Sequence, residues 1–174
     1  VLYPLIENAL ADNSIQLNTE QIEQCCTHLS LLNRWNQAFN LSAITKPQDQ
    51  VHKHLIDSLT LLPYIPADTH ALDVGSGAGF PGIPMAIARP SSTWHLIDAN
   101  EKKVRFLTHV AQQCALKNIT PQHQRIETLE HQAGFDSITC RAFSSIAALL
   151  HKTKHLLKPE GCFILMKGKY PEDE

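Results

Sequence analysis

The stretch Leu72-Asp73-Val74-Gly75-Ser76-Gly77-Ala78-Gly79-Phe80-Pro81-Gly82 decides the fold class of this chain of 174 residues. An apolar run ends in a turn that has glycine at three alternate positions, and a segment compatible with a helix follows. Glycine accepts positive φ and lets a ligand approach the backbone without a Cβ in the way. The start of the next helix offers unpaired N–H groups. The stretch therefore predicts a strand, a ligand-binding turn and a helix.

The glycine spacing narrows the kind of ligand. Dinucleotide-binding folds place a third glycine one residue after Gly79, and Phe80 occupies that position. Crowding there disfavours a pyrophosphate and favours an adenosyl ligand without phosphates. Asp98 ends the next apolar run, where a carboxylate suits the two ribose hydroxyls. The alternative is a tight turn that binds nothing, with Asp98 as a helix N-cap.

Apolar strands and amphipathic helices alternate along most of the chain, which predicts an α/β fold with a mostly parallel sheet. The expected strands are 71–74, 93–97, 119–123, 135–140 and 162–166. The expected helices between them are about 81–89, 100–116 and 144–157, with a turn at 158–161. A helix capped by Asn18 and Gln21 and another at about 48–62 precede the sheet. We expect one domain over 1–174, with an N-terminal helical cap at 1–66 and a Rossmann-like core at 67–174.

Composition excludes several classes of protein. The formal net charge of −2 gives no basic excess for binding nucleic acid by bulk electrostatics. Five cysteines without a C-x-x-C pair support neither a disulfide framework nor a zinc site and fit a cytoplasmic protein. The ten histidines show no pair at metal-ligand spacing, so we expect no metal. We also expect no membrane span and a monomer.

An adenosyl ligand on such a turn indicates S-adenosylmethionine and methyl transfer. Alignment of two reactants supplies much of the barrier reduction, so no general base is expected when the nucleophile has a free lone pair, as guanine N7 has. The segment after the fourth strand lacks the Asn/Asp-Pro-Pro-aromatic run used on exocyclic amines, and no proline precedes Cys140. Arg141 offers a fork for guanine O6 or a phosphate, and Phe143 could stack on a base. The alternative is that Arg141 pairs with a carboxylate, such as Asp136 or Glu127, and only ties down the loop.

These residues together resemble the RsmG family, also called glucose-inhibited division protein B, whose members methylate N7 of one guanine in bacterial 16S ribosomal RNA. The matching motifs are Phe39-Asn40-Leu41-Ser42-Ala43-Ile44, His54-Leu55-Ile56-Asp57-Ser58, the glycine turn with its extension Gly82-Ile83-Pro84, Lys103-Val104-Arg105-Phe106-Leu107, Arg141-Ala142-Phe143-Ser144 and Lys167-Gly168. The resemblance implies the fold of S-adenosylmethionine-dependent methyltransferases.

The resemblance also implies a set of site residues. Those expected at the cofactor are Asp73, Gly75, Gly77, Gly79, Phe80, Asp98, Ile126, Glu127 and Arg141. Those expected at the substrate RNA are Asn40, His54, Arg141, Phe143 and Lys167. Arg141 would position the reactants. For the segments that contain Asn40 and His54, a role in fixing the helical cap to the sheet is an open alternative. The implied partner is 16S ribosomal RNA or an assembling small ribosomal subunit.

One departure from the family concerns the end of the chain. Family members continue past the Lys167-Gly168 strand through a strand pair that completes the sheet, and this sequence stops at Glu174, so we expect that pair to be missing. Two other functions stay open. The mildly acidic charge fits a methyltransferase that acts on a small molecule, and the glycine turn alone fits a non-catalytic nucleotide-binding module.

Overall fold

Five parallel strands form one sheet behind the glycine-rich turn. The structure, a computed structural model, describes residues 1–141 and 145–168. The strands are β1 (His70–Val74), β2 (Thr93–Asp98), β3 (Ile119–His123), β4 (Phe135–Arg141) and β5 (Leu157–Met166). Their order in the sheet is β3-β2-β1-β4-β5. Every neighbouring pair is parallel, which confirms the predicted α/β fold.

Helices precede the sheet and connect its strands. They are α1 (Leu2–Asp12), α2 (Thr19–Asn36), α3 (Pro47–Gln50), α4 (Asp57–Leu59), α5 (Gly82–Ala88), α6 (Glu101–Gln113) and α7 (Ile146–Thr153). A π-helical segment, Val51–Ile56, joins α3 to α4 in place of the single α-helix predicted there. Short 3₁₀ turns lie at Leu62–Tyr64, Ile126–Thr128 and Lys154–Leu156. Among the described residues, each helix is too short or too polar to cross a lipid bilayer.

Helix α2 begins where the sequence predicts. The Asn18 side chain accepts a hydrogen bond from the Gln21 backbone N–H at 2.9 Å, and the Gln21 side chain accepts one from the Asn18 N–H at 2.9 Å. This reciprocal cap satisfies two amide groups that a helix start leaves unpaired. The buried stripe of Cys25, Leu29 and Leu32 then faces α5 and α6.

The two faces of the sheet carry separate apolar clusters. Successive residues of a strand point to opposite faces, so Ala71 joins one cluster and Leu72 the other. The first cluster holds side chains from the N-terminal helices as well as from α5 and α6. The second lies under α7 and the Ile126–Thr128 turn. The N-terminal helices and the sheet therefore share one apolar cluster, and the division into cap and core within one domain stays a prediction.

The end of the chain departs from the expected boundaries. Strand β5 begins at Leu157 and contains the predicted turn 158–161, whereas α7 ends at Thr153. Phe135 pairs with Leu157 and Ser137 pairs with Cys162, so residues 158–161 form a bulge opposite Asp136. The Lys158 ammonium lies 2.8 Å from the Asp136 carboxylate and holds that bulge in place. Residues 169–174 lie outside the described residues, so the expectation of a missing strand pair stays a prediction.

Candidate functional site

A cleft of about 210 Å³ opens at the carboxyl edge of the sheet. Parallel strands bring their carboxyl ends to one edge, where ligands of open α/β sheets bind. Four predicted cofactor residues line the cleft: Gly75, Asp98, Ile126 and Glu127. Gln124 and Lys152 also line it and were missed from the sequence. Gln124 directly follows β3, so the carboxyl-edge rule could have found it, whereas Lys152 reaches the cleft from α7 and leaves no comparable signal.

The glycines of the turn divide into two groups. Gly75, Gly77 and Gly79 all have positive φ, at 67°, 57° and 91°. A Cβ built on Gly75 would meet no atom within 4 Å, so this glycine borders open space in the cleft. A Cβ on Gly79 would overlap the Ile83 side chain and lie 3.2 Å from Leu107. Gly79 therefore serves packing in this structure, and its predicted contact with a cofactor stays a prediction, as does that of Gly77.

Asp98 ties the second strand to the glycine turn. One carboxylate oxygen accepts a hydrogen bond from the Gly77 N–H at 2.9 Å, and the other accepts from the Asn100 N–H at 2.8 Å. The residue is 8% exposed and lines the cleft. Because a carboxylate has about four acceptor sites, two remain for a ligand. Asn100, rather than Asp98, caps helix α6.

Asp73 is engaged inside the protein and does not line the cleft. Its carboxylate accepts hydrogen bonds from the Gly82 N–H at 3.2 Å and from the Thr139 hydroxyl at 3.0 Å. Complete burial raises the pKa of this carboxyl to about 7. The described contacts thus give Asp73 the task of joining β1 to β4 and to the start of α5. Its predicted place at the amino-acid end of a cofactor stays a prediction.

Phe80 lies between two imidazoles. Its ring stacks on His28 at a centroid distance of 4.6 Å and on His54 at 4.5 Å, and the side chain is 5% exposed. The described cleft does not include Phe80, so its expected contact with a cofactor also stays a prediction. His28 donates from Nε2 to the Ala78 carbonyl at 2.8 Å, and burial lowers its pKa to about 4. Helix α2 is thereby joined to the turn.

Arg141 bonds to the π-helical segment and also pairs with a carboxylate, since its Nη2 lies 4.0 Å from Oδ2 of Asp57. The sequence alternative of a carboxylate partner is therefore met by Asp57, whereas the two examples that it named, Asp136 and Glu127, are wrong. Arg141 Nη1 donates to His54 Nδ1 at 3.0 Å, and Nη2 donates to the Lys53 carbonyl at 2.7 Å. Asp136 and Glu127 instead pair with lysines, Lys158 and Lys152, at 2.8 Å and 2.7 Å.

These bonds fix the tautomer of His54. A guanidinium only donates, so Nδ1 of His54 accepts and the ring proton lies on Nε2. Nε2 is 2.8 Å from the Ser42 hydroxyl and donates to it. Burial, reinforced by the Arg141 charge, lowers the pKa of His54 to about 4, so the ring is neutral at pH 7. The π-helical turn thus presents His54 to Arg141 and Ser42 at once.

The segment that contains Asn40 is held by a neighbouring side chain. Asn36 accepts from the Leu41 and Ser42 backbone N–H groups, at 2.7 Å and 3.0 Å, and so holds the segment that contains Asn40. Asn40 itself is exposed. Lys167 lines a second cleft at the carboxyl edge together with Arg141 and Asp57. Phe143 lies outside the described residues.

Comparison with known proteins identifies the family. The family model for GidB, rRNA small subunit methyltransferase G, matches residues 21–174. The chain belongs to this family. A Ribosomal RNA small subunit methyltransferase G from Chromobacterium violaceum is 41% identical over 97% of this chain and 81% of its own length. Another from Coxiella burnetii is 47% identical over 84% of this chain and 71% of its own. The predicted resemblance is confirmed.

Solved structures confirm the methyltransferase fold. Coclaurine N-methyltransferase, bound to N-methylheliamine and SAH, superposes with a TM-score of 0.61 at 16% identity, over 94% of this chain and 56% of that protein. The YcgJ protein from Bacillus subtilis gives a TM-score of 0.59 at 26% identity, over 69% of this chain and 53% of that one. The chain thus spans about half the length of these two proteins. At these identities the comparison shows the Rossmann-like fold alone.

Substitution by alanine should lower the free energy of unfolding by different amounts at Gly75 and at Gly79. Gly75→Ala adds only the strain of positive φ, about 1–2 kcal/mol. Gly79→Ala adds the same strain and forces Ile83 and Leu107 to move, which costs roughly 1–3 kcal/mol more. Urea unfolding monitored by circular dichroism measures both variants against the parent protein. Equal losses in the free energy of unfolding would contradict the division.

Acid should weaken the contact between cap and core. The pKa of His54 is about 4 when folded against 6.5 as the ordinary value, so the unfolded chain takes up its proton first. The contribution of neutral His54 is therefore complete above pH 6.5 and is lost as the pH falls from 6.5 towards 4. His54→Gln should reduce the dependence of the free energy of unfolding on pH across that range, as measured by urea unfolding. His52→Gln, at an exposed neighbour, should leave that dependence unchanged. An unchanged dependence in His54→Gln would show that His54 does not carry the effect.

Proposed function

We propose that this chain binds S-adenosylmethionine in the carboxyl-edge cleft and transfers its methyl group to N7 of a guanine in 16S ribosomal RNA. The observation that carries the proposal is that Gly75, Asp98, Ile126 and Glu127, which the family resemblance assigns to the cofactor, line one cleft. Family membership supports the class of substrate, because the matching relatives are named for the ribosomal RNA of the small subunit.

The residues of the cleft fit an adenosyl group. Val74, Ile97 and Ile126 give it an apolar wall for a purine. The two free acceptor sites of Asp98 match the two hydroxyls of a ribose. The open space above Gly75 admits a ligand close to the backbone. A whole-ligand pocket usually measures roughly 300–1,000 Å³, so the cleft is suited to the nucleoside part of the cofactor.

The chain has a positioning task in this reaction. When bound, S-adenosylmethionine supplies a methyl group on a sulfonium, which a lone pair can attack. Guanine N7 has such a lone pair at neutral pH, so the protein needs no general base and contributes by alignment. Arg141 and Lys167 line the second cleft, at the ends of β4 and β5, and the adenosyl cleft lies at the ends of β1 and β2. Because β1 and β4 are neighbours, we assign the guanine and its phosphates to the second cleft.

The RNA must present its guanine in an accessible form. N7 lies in the major groove, which is deep and narrow in duplex RNA, so an unpaired or flipped guanine is the expected substrate. Asn40 and Lys167 are proposed to lie along the RNA, with Arg141 holding guanine O6 or a phosphate and the buried His54 orienting Arg141 from behind. A protein that acts on ribosomal RNA works in the cytoplasm, which we propose as its location.

The charge of Asp98 predicts a loss of cofactor affinity. Hydrogen bonds to a charged group contribute about 1.5–3 kcal/mol, so Asp98→Asn should weaken binding of S-adenosylhomocysteine about tenfold to a hundredfold. Asn keeps one acceptor oxygen for the backbone bond to Gly77 or Asn100. Isothermal titration calorimetry measures the affinity, with Asp68→Asn, at an exposed site before β1, as the control. The ribose assignment fails if Asp98→Asn binds as tightly as the control.

The activity itself is tested on ribosomal RNA. Incubation of the protein with labelled S-adenosylmethionine and either naked 16S RNA or small-subunit particles should yield a 7-methylguanosine. Strand cleavage followed by primer extension locates this base. Binding through several phosphates should weaken steeply as salt rises, whereas turnover of a small molecule would barely respond. Labelled RNA with a different modified base would correct the N7 assignment. Absence of label in both RNA forms, with cofactor binding intact, would favour a small-molecule substrate or a non-catalytic nucleotide-binding module.

A further inference from the structure

Three histidines that are far apart in the sequence meet beside the sheet. His70 begins β1, His95 lies within β2, and His131 lies between the Ile126–Thr128 turn and β4. The ring centroids of His70 are 5.1 Å from those of both others, and the rings of His95 and His131 are 5.4 Å apart. One nitrogen from each ring lies within 4.8 Å of the other two. Three histidines thus meet in space although no pair stands at metal-ligand spacing along the sequence.

Strand register explains how two of the rings meet. His70 pairs with Thr93 and Leu72 pairs with His95, so His70 and His95 are offset by two residues along neighbouring strands. His70 is two residues before Leu72 on β1, and His95 is two residues before Ile97 on β2. Leu72 and Ile97 belong to the second apolar cluster, so both histidines point to that face of the sheet. Phe135 supports all three rings from one side, at centroid distances of 5.0, 5.3 and 4.3 Å.

The cluster holds a polar atom without a hydrogen-bond partner. Nε2 of His131 is buried and has no partner among the described residues. Gln122, a residue of β3, interacts through its side chain with His95. A buried polar atom left unpaired is costly, and native proteins pair almost all of them. The unpaired nitrogen of His131 is an independent sign that the cluster receives a ligand.

The charges next to the cluster largely cancel. Asp136 and Lys158 act on His70 in opposite directions. They pair with each other at 2.8 Å. Burial, followed by the proximity of the other rings, lowers the pKa of His70 and His95. A metal ion would therefore meet no uncompensated cation from the Asp136–Lys158 pair.

We propose that His70, His95 and His131 bind a divalent late first-row transition-metal ion of the zinc class. Three imidazole nitrogens suit zinc, nickel, cobalt and copper ions, whereas magnesium and calcium require oxygen ligands. Zinc–nitrogen bonds of about 2.0–2.1 Å at tetrahedral angles place the nitrogens about 3.4 Å apart. Small side-chain rotations therefore close the site, and the fourth position is left for water or the Gln122 carbonyl oxygen.

The site would fix a segment that runs from one edge of the sheet to the other. The segment 124–134 leaves β3 at the carboxyl edge, where Ile126 and Glu127 line the adenosyl cleft, and reaches β4 at the amino edge. A metal at His131 fixes the far end of this segment to β1 and β2. We therefore assign the ion a structural task, namely to hold the segment whose other end forms a wall of the cleft.

Calorimetric titration with zinc tests the proposal on chelator-treated protein, in a Cys162→Ser background because Cys162 is an exposed thiol. One equivalent of zinc should bind and raise the melting temperature. His131→Gln should weaken zinc binding by at least about tenfold, since loss of even an outer-shell partner costs ~10–100-fold. His151→Gln, at an exposed histidine of α7, should bind like the parent protein.

Cobalt absorption supplies a second readout. Tetrahedral nitrogen coordination of cobalt gives visible bands that should be present in the parent protein and absent in His95→Gln and His131→Gln. Circular dichroism and urea unfolding verify that these variants are folded without relying on cofactor binding, which separates this result from the proposed function. Equal zinc affinity in His131→Gln and the parent protein, or no zinc binding by the folded parent, would overturn the proposal.

Discussion

The stacking of Phe80 between His28 and His54 joins the helical cap to the glycine turn. His28 belongs to α2 and His54 to the π-helical segment, so one ring touches both parts of the cap. Each imidazole also has a hydrogen bond that fixes its ring, from His28 to the Ala78 carbonyl and between His54 and Arg141. Both rings are neutral, because burial lowers their pKa to about 4. The orientation of the turn, and with it the cleft at Gly75, thus depends on two uncharged histidines.

The two aspartates at the turn show how environment separates tasks. Asp73 is fully buried, and its carboxyl accepts hydrogen bonds from Gly82 and Thr139. Asp98 lies at the cleft and uses only two of its acceptor sites on backbone groups. In this structure the buried carboxyl of Asp73 holds elements together, whereas Asp98 borders the cleft and keeps acceptor sites that a ligand can use. The two residues differ in depth below the carboxyl edge, and their described bonds differ accordingly.

Local patterns in the sequence predicted the first four strands to within one residue and one helix cap in full. Strand 119–123 and the cap at Asn18 depend on neighbours in the chain, which the sequence displays directly. The partner of Arg141 depends on how the cap lies against β4, and no local pattern contains that packing. The bulge at 158–161 has the same origin, because Pro159 and Gly161 predict an interruption but not the pairing of Lys158 with Asp136 across it.

The histidine cluster follows from the same sheet geometry as the cleft, but at the opposite edge. Parallel strands gather their carboxyl ends in one place and their amino ends in another, so residues at matching heights meet whatever their separation in sequence. The β3–β4 connection must cross the face of β2 and β1 to return from one edge to the other. Apart from the single turn Ile126–Thr128, it does so without a helix, although a parallel crossover usually contains one. The segment is held in its middle by Ile126 and Leu129, which are buried in the second apolar cluster, and by the pair of Glu127 with Lys152 at 2.7 Å. At its ends, Gln124 bonds to the Asp98 carbonyl and His131 lies among the imidazoles.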